Sequence, residues 1–416
     1  MPNILDDLEY RGLIKDFSNH DEIRQLLETP TTIYCGFDPS ASSMHVGNYV
    51  MISLLMRLQQ AGHKIIAVVG GATGMIGDPS GKSKERNLQD KATLAANTNA
   101  IRAQLERFLD LSNPEKGMII NNYDWLSKLS LLDMLRDYGK HFSINYLLAK
   151  DIIASRLETG ISFTEFTYNI LQAIDFLHIH LNYGCSIQIG GSDQWGNLTS
   201  GLELIRKVEN DAKVGVLTCH LITRADGKKF GKSEKGALFL DPTLTSPYQL
   251  YQYFINVTDD DAIKYLKVFS FLPKEEIEKI SVEHYENMGA RIGQKALAFQ
   301  IVKDIHGEDK ANEAINMSNA LFSGDIKSLT QSQLEELLGD LTVEVNEDIK
   351  LEDALILTKA ASSKREARQF AMSNAISVNG DKINDPNYVL NKDNALFGKY
   401  SVIRRGKKLY FLIKHN

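Results

Sequence analysis

Four short runs rich in β-branched residues, Thr32 to Phe37, Lys64-Ile-Ile-Ala-Val-Val-Gly70, Met118-Ile-Ile-Asn121 and Ser186-Ile-Gln-Ile-Gly190, alternate with amphipathic helical stretches through the first two-thirds of the chain. Strands that are apolar throughout are buried on both faces, the situation of parallel strands covered by their own crossover helices. The pattern predicts an α/β fold with a Rossmann-like, doubly wound parallel sheet. In such sheets ligands bind beyond the carboxyl ends of the strands. That expectation gathers Tyr34, Asp38, Thr73, Asp78, Gln188, Asp193 and Gln194 into one site built from distant segments.

At 416 residues the chain exceeds what one hydrophobic core serves, so two or three domains are expected. Residues 1–241 carry this sheet. After Asp241-Pro242 the pattern turns helical, with aromatics at Tyr248, Tyr251, Tyr253 and Phe254, and predicts a small α domain over 242–323. Residues 324–350 are acidic and read as a linker. Over 351–416, two short helices, Leu351 to Thr358 and Ser363 to Asn374, precede two hairpins. One turns at Asn379-Gly380, and the other carries Arg404-Arg405-Gly406-Lys407-Lys408 at its tip.

This small α+β module is basic. From Lys359 onward twelve Lys and Arg face four Asp and Glu, an excess of +8 that leaves −14 for everything before it. Such a module suits a polyanion partner, and equally a solvated basic face. Cys35, Cys185 and Cys219 lack paired spacing, which fits a reducing compartment and argues against a disulfide framework or a thiolate zinc site. No apolar run approaches the roughly 18 residues of a membrane span, and the N-terminus has no leader pattern. A cytoplasmic protein with no membrane partner is expected.

The segment Pro39-Ser40-Ala41-Ser42-Ser43-Met44-His45-Val46-Gly47-Asn48 lies between the first of these strands and a helical pattern from Tyr49 to Gln60. A strand-to-helix turn there sets His45 and a helix N-terminus where phosphate binds. Lys228-Lys229-Phe230-Gly231-Lys232-Ser233, flanked by Gly227 and Gly236, has the composition of a polar loop. Its ammonium groups can follow charge developing on a transferring phosphate. Gly77-Asp78-Pro79-Ser80-Gly81-Lys82-Ser83 imitates a P-loop but places three residues, not four, before its Gly-Lys pair. With Lys84 and Arg86 it reads as a second basic loop over phosphates, or as a structural turn.

Tyr168, Gln172 and Asp175 share one helix face, while Ile170, Leu171 and Ile174 pack elsewhere. A hydroxyl, an amide and a carboxylate on one face of an apolar helix make a polar-ligand pocket or a hydrogen-bonded core seam. No GxGxxG follows the first strand, which disfavours a nicotinamide dehydrogenase. His178-Ile179-His180 has no carboxylate or cysteine at metal-ligand spacing, so no metal beyond that of a substrate is expected.

In combination these segments, with Tyr34-Cys35-Gly36-Phe37-Asp38-Pro39, Gly190-Gly191-Ser192-Asp193-Gln194-Trp195-Gly196-Asn197 and the basic tail, closely resemble the bacterial tyrosyl-tRNA synthetases, which are class I aminoacyl-tRNA synthetases. The resemblance spans essentially the whole chain. His45-Val46-Gly47-Asn48 stands where that family usually has His-Ile-Gly-His, so Asn48 would offer ATP a neutral hydrogen bond. Lys229-Phe230-Gly231-Lys232-Ser233 is a variant of the class's Lys-Met-Ser-Lys-Ser loop.

The resemblance implies L-tyrosine, ATP with Mg²⁺, and tRNA(Tyr) as substrates, with no prosthetic group. It implies Tyr34 and Asp175 on the phenolic hydroxyl, Asp78, Tyr168 and Gln172 on the α-ammonium, and Thr73 and Gln188 in the same pocket. Gly36, Asp38, Ser40, Gly47, Gly191, Asp193, Gln194 and Lys232 would surround the adenylate. His45, Asn48, Lys82, Arg86, Lys229, Lys232 and Ser233 would serve the pyrophosphate chemistry. Lys364, Arg365, Arg368, Arg404, Arg405, Lys407 and Lys408, on a module similar to the α-L RNA-binding domain, would meet tRNA phosphates. The insertion over 125–163 would form a homodimer interface. Three neighbouring readings remain. A tryptophanyl-tRNA synthetase is disfavoured by Tyr34 with Asp175, because an indole offers one donor only. An RNA-binding cofactor with a synthetase-derived core would not need the intact loop lysines. A nucleotidylyltransferase sharing the His-x-Gly turn would not need the basic module.

Overall fold

The computed structural model describes residues 3–80, 89–157, 160–223, 230–233, 236–407 and 409–416, with the backbone alone at 151, 152, 155, 232 and 233. Two compact units emerge. One runs through Ser246 and adds Tyr253–Ile301; the other joins Pro247–Gln252 to Val302–Asn416.

The first unit is organised by a six-stranded sheet whose strands are β1 (Ile14–Phe17), β2 (Thr32–Phe37), β3 (Lys64–Val69), β4 (Gly117–Asn121), β5 (Cys185–Gly191) and β6 (Gly215–Cys219). Their order is β1-β6-β5-β2-β3-β4, with β2 to β6 parallel and β1 antiparallel against β6. The sheet grows outward from β2 through β3 and β4 on one side, and through β5 and β6 on the other. The order therefore reverses between β2 and β5, the point beyond whose strand ends such sheets bind ligands. Ile33, Ile65, Ile66, Ala67 and Ile187 are fully buried, as the uninterrupted apolar runs predict. A two-stranded ribbon, β7 (Lys232–Ser233) with β8 (Gly236–Ala237), belongs to the same unit.

The Phe163–Tyr183 helix opens on Ser162, whose side chain accepts from the Glu165 N–H, and closes on Gly184 in the left-handed region (φ 65). Its Ile170, Ile174, Phe176 and Leu177 join Tyr34, Ile66, Val68, Leu198 and Val216 in one core cluster. This helix carries Tyr168, Gln172 and Asp175 toward the reversal point.

The expected α domain over 242–323 is divided between the two units. Arg11 and Arg57 both donate to the carbonyl of Ser270, and Arg11 also to those of Lys267 and Leu272, which binds the end of the Asp259–Phe269 helix to the first unit. The Glu308–Ser323 helix instead buries Met317 and Ala320 among Ile326, Leu329, Leu334, Leu338, Tyr400, Val402 and Leu412. That cluster also corrects the linker expected over 324–350, since four of its residues lie there. Gln331–Leu338 is a helix opened by a capping box between Thr330 and Gln333. The acidic residues of this stretch mark the solvent side of an amphipathic segment, not an absence of structure.

The strands of the second unit are β9 (Thr342–Val345), β10 (Ile349–Lys350), β11 (Ile376–Val378), β12 (Asp381–Lys382), β13 (Val389–Leu390), β14 (Tyr400–Arg405) and β15 (Leu409–His415). Five of them form a sheet in the order β12-β11-β14-β15-β9, with β9 parallel to β15, and β10 pairs with β13. The Leu351–Leu357 and Lys364–Met372 helices pack Leu355, Ala367 and Ala371 against Ile376, Ile403 and Ile413. Asn379 (φ 49) and Gly380 (φ 92) make the first hairpin turn, both at positive φ as a type I′ turn requires. The second hairpin differs from expectation. Arg404 and Arg405 lie within β14, opposite Tyr410 and Leu409, and the turn falls after them at Gly406 (φ 64). Among the described residues no helix is long and apolar enough to cross a membrane.

Candidate active site

Beyond the ends of β2, β3 and β4 lies a continuous chain of buried and half-buried hydrogen bonds. Tyr168 Oη donates to Asp38 Oδ2 (2.8 Å), and Thr73 Oγ1 donates to Asp38 Oδ1 (2.7 Å). Asn122 Nδ2 donates both to Thr73 Oγ1 (3.0 Å) and to Asp175 Oδ2 (2.9 Å). Trp125 Nε1 completes the chain by donating to Asp175 Oδ1 (2.7 Å). Gly70 is required beneath it, because a Cβ there would lie 2.0 Å from Asp38 Oδ1. Asp38, expected on the adenylate side, is thus joined to the amino-acid side through Thr73 and Tyr168.

Asp175 is 2 % exposed. Burial pushes its carboxyl up to about 7, against the two donors that favour the ionised form. Tyr34 lies in the same core, and its hydroxyl is raised well above the ordinary phenol value by burial first and by the Asp175 charge second. Tyr168 is raised likewise, by burial and then by Asp38 and Asp78. Both phenols therefore stay protonated and can donate. Gln188 is buried, and its Oε1 has no hydrogen-bond partner among the described residues. A buried amide oxygen without a donor is an acceptor for a ligand or an ordered water.

A second cluster faces the Asp78 carboxylate. Gln194 Nε2 donates to Asp78 Oδ2 (2.6 Å), the Ser80 N–H donates to Oδ1 (2.9 Å), and Asn197 Nδ2 bridges Gln194 Oε1 (3.0 Å) and Ser80 Oγ (3.3 Å). Asn169 Nδ2 steadies Asn197 Oδ1 from the neighbouring helix (2.8 Å). Among the described residues the donors to the Asp78 carboxylate are all neutral. Gly191 lies beside Asp193, whose Oδ1 a Cβ would approach to 2.7 Å.

His45 is the N-cap of the Val46–Gln60 helix. Its Nδ1 accepts from the Gly47 N–H (3.1 Å), while Asn48 Oδ1 accepts from the His45 N–H (3.0 Å). Asn48, expected as an ATP contact, thus also makes the return bond of a reciprocal cap through its oxygen, with its Nδ2 as a further donor. A Cβ on Gly47 would fall 2.8 Å from the His45 ring. Ser40 is held by its carbonyl, which accepts from Gln89 Nε2 (2.9 Å). The two signature segments meet: Val46 N–H donates to the Leu238 carbonyl and Leu238 N–H to the Gly231 carbonyl, both at 2.9 Å. Lys82, Arg86 and Lys229 lie outside the described residues, as do the side chains of Lys232 and Ser233.

Reading by residue missed Asn122, Trp125 and Asn197. Asn122 directly follows β4, where the strand-end rule could have found it. Trp125 opens the segment expected as the interface insertion, and its indole reaches Asp175 while stacking on His178 (centroids 4.4 Å apart). His180 is engaged by the Cys185 carbonyl (2.7 Å) and Glu209 (3.3 Å).

Of the basic residues in the second unit, Arg368 is paired with Glu352 and Lys364 with Asp353. Arg404 donates to the carbonyls of Phe322, Ser323 and Lys407, and Arg405 to that of Ala360 while lying over the Phe370 ring. Arg365 and Lys407 are exposed and form no salt bridge among the described residues. Arg365 and Arg368 border a shallow depression with Gln369, Met372 and Ser373. Lys408 lies outside the described residues.

A doubly wound parallel sheet, with a capped helix N-terminus following the strand at its reversal point and a short ribbon against that helix, is the fold of the class I aminoacyl-tRNA synthetases. The family model for tRNA synthetases class I (W and Y) matches residues 25–323, and that for the tyrosine–tRNA ligase SYY-like C-terminal domain matches residues 333–413. A tyrosine–tRNA ligase of Geobacillus kaustophilus is 51% identical over 99% of this chain and 100% of its own length, and tyrosine–tRNA ligase 1 of Bacillus anthracis is 50% identical with the same coverage. The chain belongs to the tyrosine–tRNA ligase family. Among solved structures, a C-terminally truncated mitochondrial tyrosyl-tRNA synthetase of Aspergillus nidulans superposes with a TM-score of 0.69 at 32% identity, over 77% of this chain and 95% of that one. A tryptophanyl-tRNA synthetase of Encephalitozoon cuniculi shares the fold at 13% identity (TM-score 0.55, 79% of this chain and 89% of that one). The fold alone therefore does not choose between phenol and indole.

Proposed function

We propose that this chain joins L-tyrosine to ATP, entering as its Mg²⁺ complex, to give tyrosyl-adenylate and pyrophosphate, and then passes tyrosine to the 3′ end of tRNA(Tyr). The observation that carries the reading is Asp175. It is a buried carboxylate with two neutral donors, and it keeps further lone pairs for a third. A substrate phenol donates to it and accepts from Tyr34, a pairing that an indole, with one donor and no acceptor, cannot make. Phenylalanine leaves the carboxylate one charge-assisted hydrogen bond short, worth about 1.5–3 kcal/mol.

At the other end of the pocket, Asp78, Tyr168 and Gln172 hold the α-ammonium. The tyrosine carboxylate then attacks the α-phosphorus in line, a P–O bond forms, and the bond to pyrophosphate breaks. The His45 cap and helix N-terminus, with Lys82, Arg86, Lys229 and Lys232, stabilise the leaving charge. In the second step a terminal ribose hydroxyl attacks the mixed anhydride, an ester forms, and AMP leaves.

The exposed arginine and lysine face of the second unit supports tRNA phosphate binding there. A homodimer is supported by the apolar exposure of the 125–163 segment, where Leu131, Leu132 and Ile144 are 60 % or more exposed. Its working compartment is the cytoplasm, where tRNA is charged. Charging is tested directly by incubating the chain with labelled tyrosine, ATP and tRNA(Tyr). Label released from tRNA by mild base supports the ester; base-stable label, or none, contradicts it.

A further inference from the structure

Phe230, buried, sits in a box of rings whose centroids lie 5.0 Å (Tyr265), 5.4 Å (Phe269), 6.1 Å (Tyr253) and 6.1 Å (Phe254) away. All four rings come from the helices Pro247–Ile255 and Asp259–Phe269. The next residue, Gly231, is also buried, and its N–H donates to Tyr253 Oη (3.1 Å). Gly231 has φ +73, and a Cβ there would approach Val46 Cγ2 to 2.9 Å, so its peptide is wedged between Tyr253 and the first turn of the His45-capped helix. Tyr265 Oη donates to the Thr223 carbonyl (3.1 Å). The lysine-bearing ribbon is thus moored at Phe230 and Gly231 to aromatic residues that play no part in holding substrate.

We infer that Tyr253 is a positioning residue for adenylate formation: its hydroxyl fixes the Gly231 peptide, and with it the backbone of Lys232, against the helix N-terminus that receives pyrophosphate. The inference rests on the reading of Lys232 as a group acting on the leaving phosphates. Removing the hydroxyl leaves a buried N–H without an acceptor. The ribbon that follows this N–H is only two residue pairs long, so a penalty placed at its root is relieved by local opening of the ribbon rather than of the core. The cost then falls on the activation step and not on global stability.

The test is Tyr253→Phe in the full-length chain, which keeps the ring in the box. Single-turnover formation of tyrosyl-adenylate should slow about 5- to 50-fold, with equilibrium tyrosine affinity and thermal midpoint unchanged. In a Lys232→Ala background the same substitution should add no further loss, because both act through one group. A wild-type rate for Tyr253→Phe, a fully additive loss with Lys232→Ala, or a parallel fall in tyrosine affinity and thermal midpoint would each overturn the inference. Lys232→Ala measured alone separates the two readings. A wild-type rate in that variant removes the role given to the lysine, whereas a slow Lys232→Ala with a normal Tyr253→Phe removes only the role given to the tyrosine.

Discussion

Asp175 and Arg368 are both partnered ionisable groups, and they are partnered in opposite ways. Asp175 lies buried between two neutral donors, Asn122 and Trp125, in a chain of hydrogen bonds that runs on to Asp38 and Tyr168. Arg368 lies on an exposed helix face, held by the opposite charge of Glu352. In the pocket the polar groups are oriented before substrate arrives, so little ordering is left to do and each bond acts in a low dielectric. On the basic face a phosphate must compete with a carboxylate already in place, in a solvent that screens both. The first arrangement favours discrimination between similar small molecules, and the second favours salt-dependent grip on a large polyanion.

Removing the second arrangement should have the largest effect. Truncation after Ser323 is expected to weaken tRNA binding roughly a thousandfold at low salt and to flatten its salt dependence, while tyrosyl-adenylate formation stays within about twofold of the full chain. Filter binding at several salt concentrations, beside single-turnover activation, checks both halves. This cut removes β9 together with its partner β15, which a cut at 350 would separate, and leaves Met317 and Ala320 of the preceding helix without their core neighbours.

Within the first arrangement, Lys229→Ala and Lys232→Ala should each slow activation about 100-fold while leaving tyrosine affinity intact, because they act on charge that develops in the transition state. Rapid-quench activation set against equilibrium tyrosine binding separates the two. Asp175→Asn should weaken tyrosine binding about 10- to 100-fold without changing ATP affinity. Its pH profile sharpens the comparison further. With the carboxyl raised to about 7, wild-type tyrosine affinity should tighten about tenfold per pH unit up to that point and level off above it, while the asparagine variant stays flat. Stability should move the other way. A carboxyl raised above its ordinary value contributes stability that is fully present below that value and is lost as pH climbs through about 7, so the variant should gain on the wild type by up to about 4 kcal/mol between pH 4 and pH 7. Urea midpoints across that range would read it.

The smallest effect concerns which basic residues are engaged at home. Arg365→Gln and Lys407→Gln, at exposed positions without a salt bridge among the described residues, should each weaken tRNA binding a few-fold and lower the salt slope by about 0.7–0.9. Arg368→Gln should change the slope less, since Glu352 already screens that charge. Equal slopes for all three variants would mean that the internal pairing does not matter.

Much of this was legible from residue patterns. Continuous β-branched runs announced the parallel strands, and the helical spacing of Tyr168, Gln172 and Asp175 put three polar groups on one face. Asn379-Gly380 specified its turn because both positions need positive φ. What escaped were partners supplied across the fold. Nothing local marks Trp125 as a donor to a carboxylate fifty residues away, and the cap from Asn48 to His45 is invisible until the turn is built. The linker misreading had a local remedy: Thr330 and Gln333 stand at capping-box spacing, ahead of Leu334 and Leu338 on one helix face. Net charge concealed it.

The most direct measurement is exchange of labelled pyrophosphate into ATP, run on the full chain with tyrosine, phenylalanine or tryptophan as the only amino acid. The account predicts exchange that depends on tyrosine, with phenylalanine and tryptophan each at least about tenfold poorer in kcat/KM because neither completes the bonds at Tyr34 and Asp175. Exchange supported equally by phenylalanine, or none with tyrosine, would contradict it.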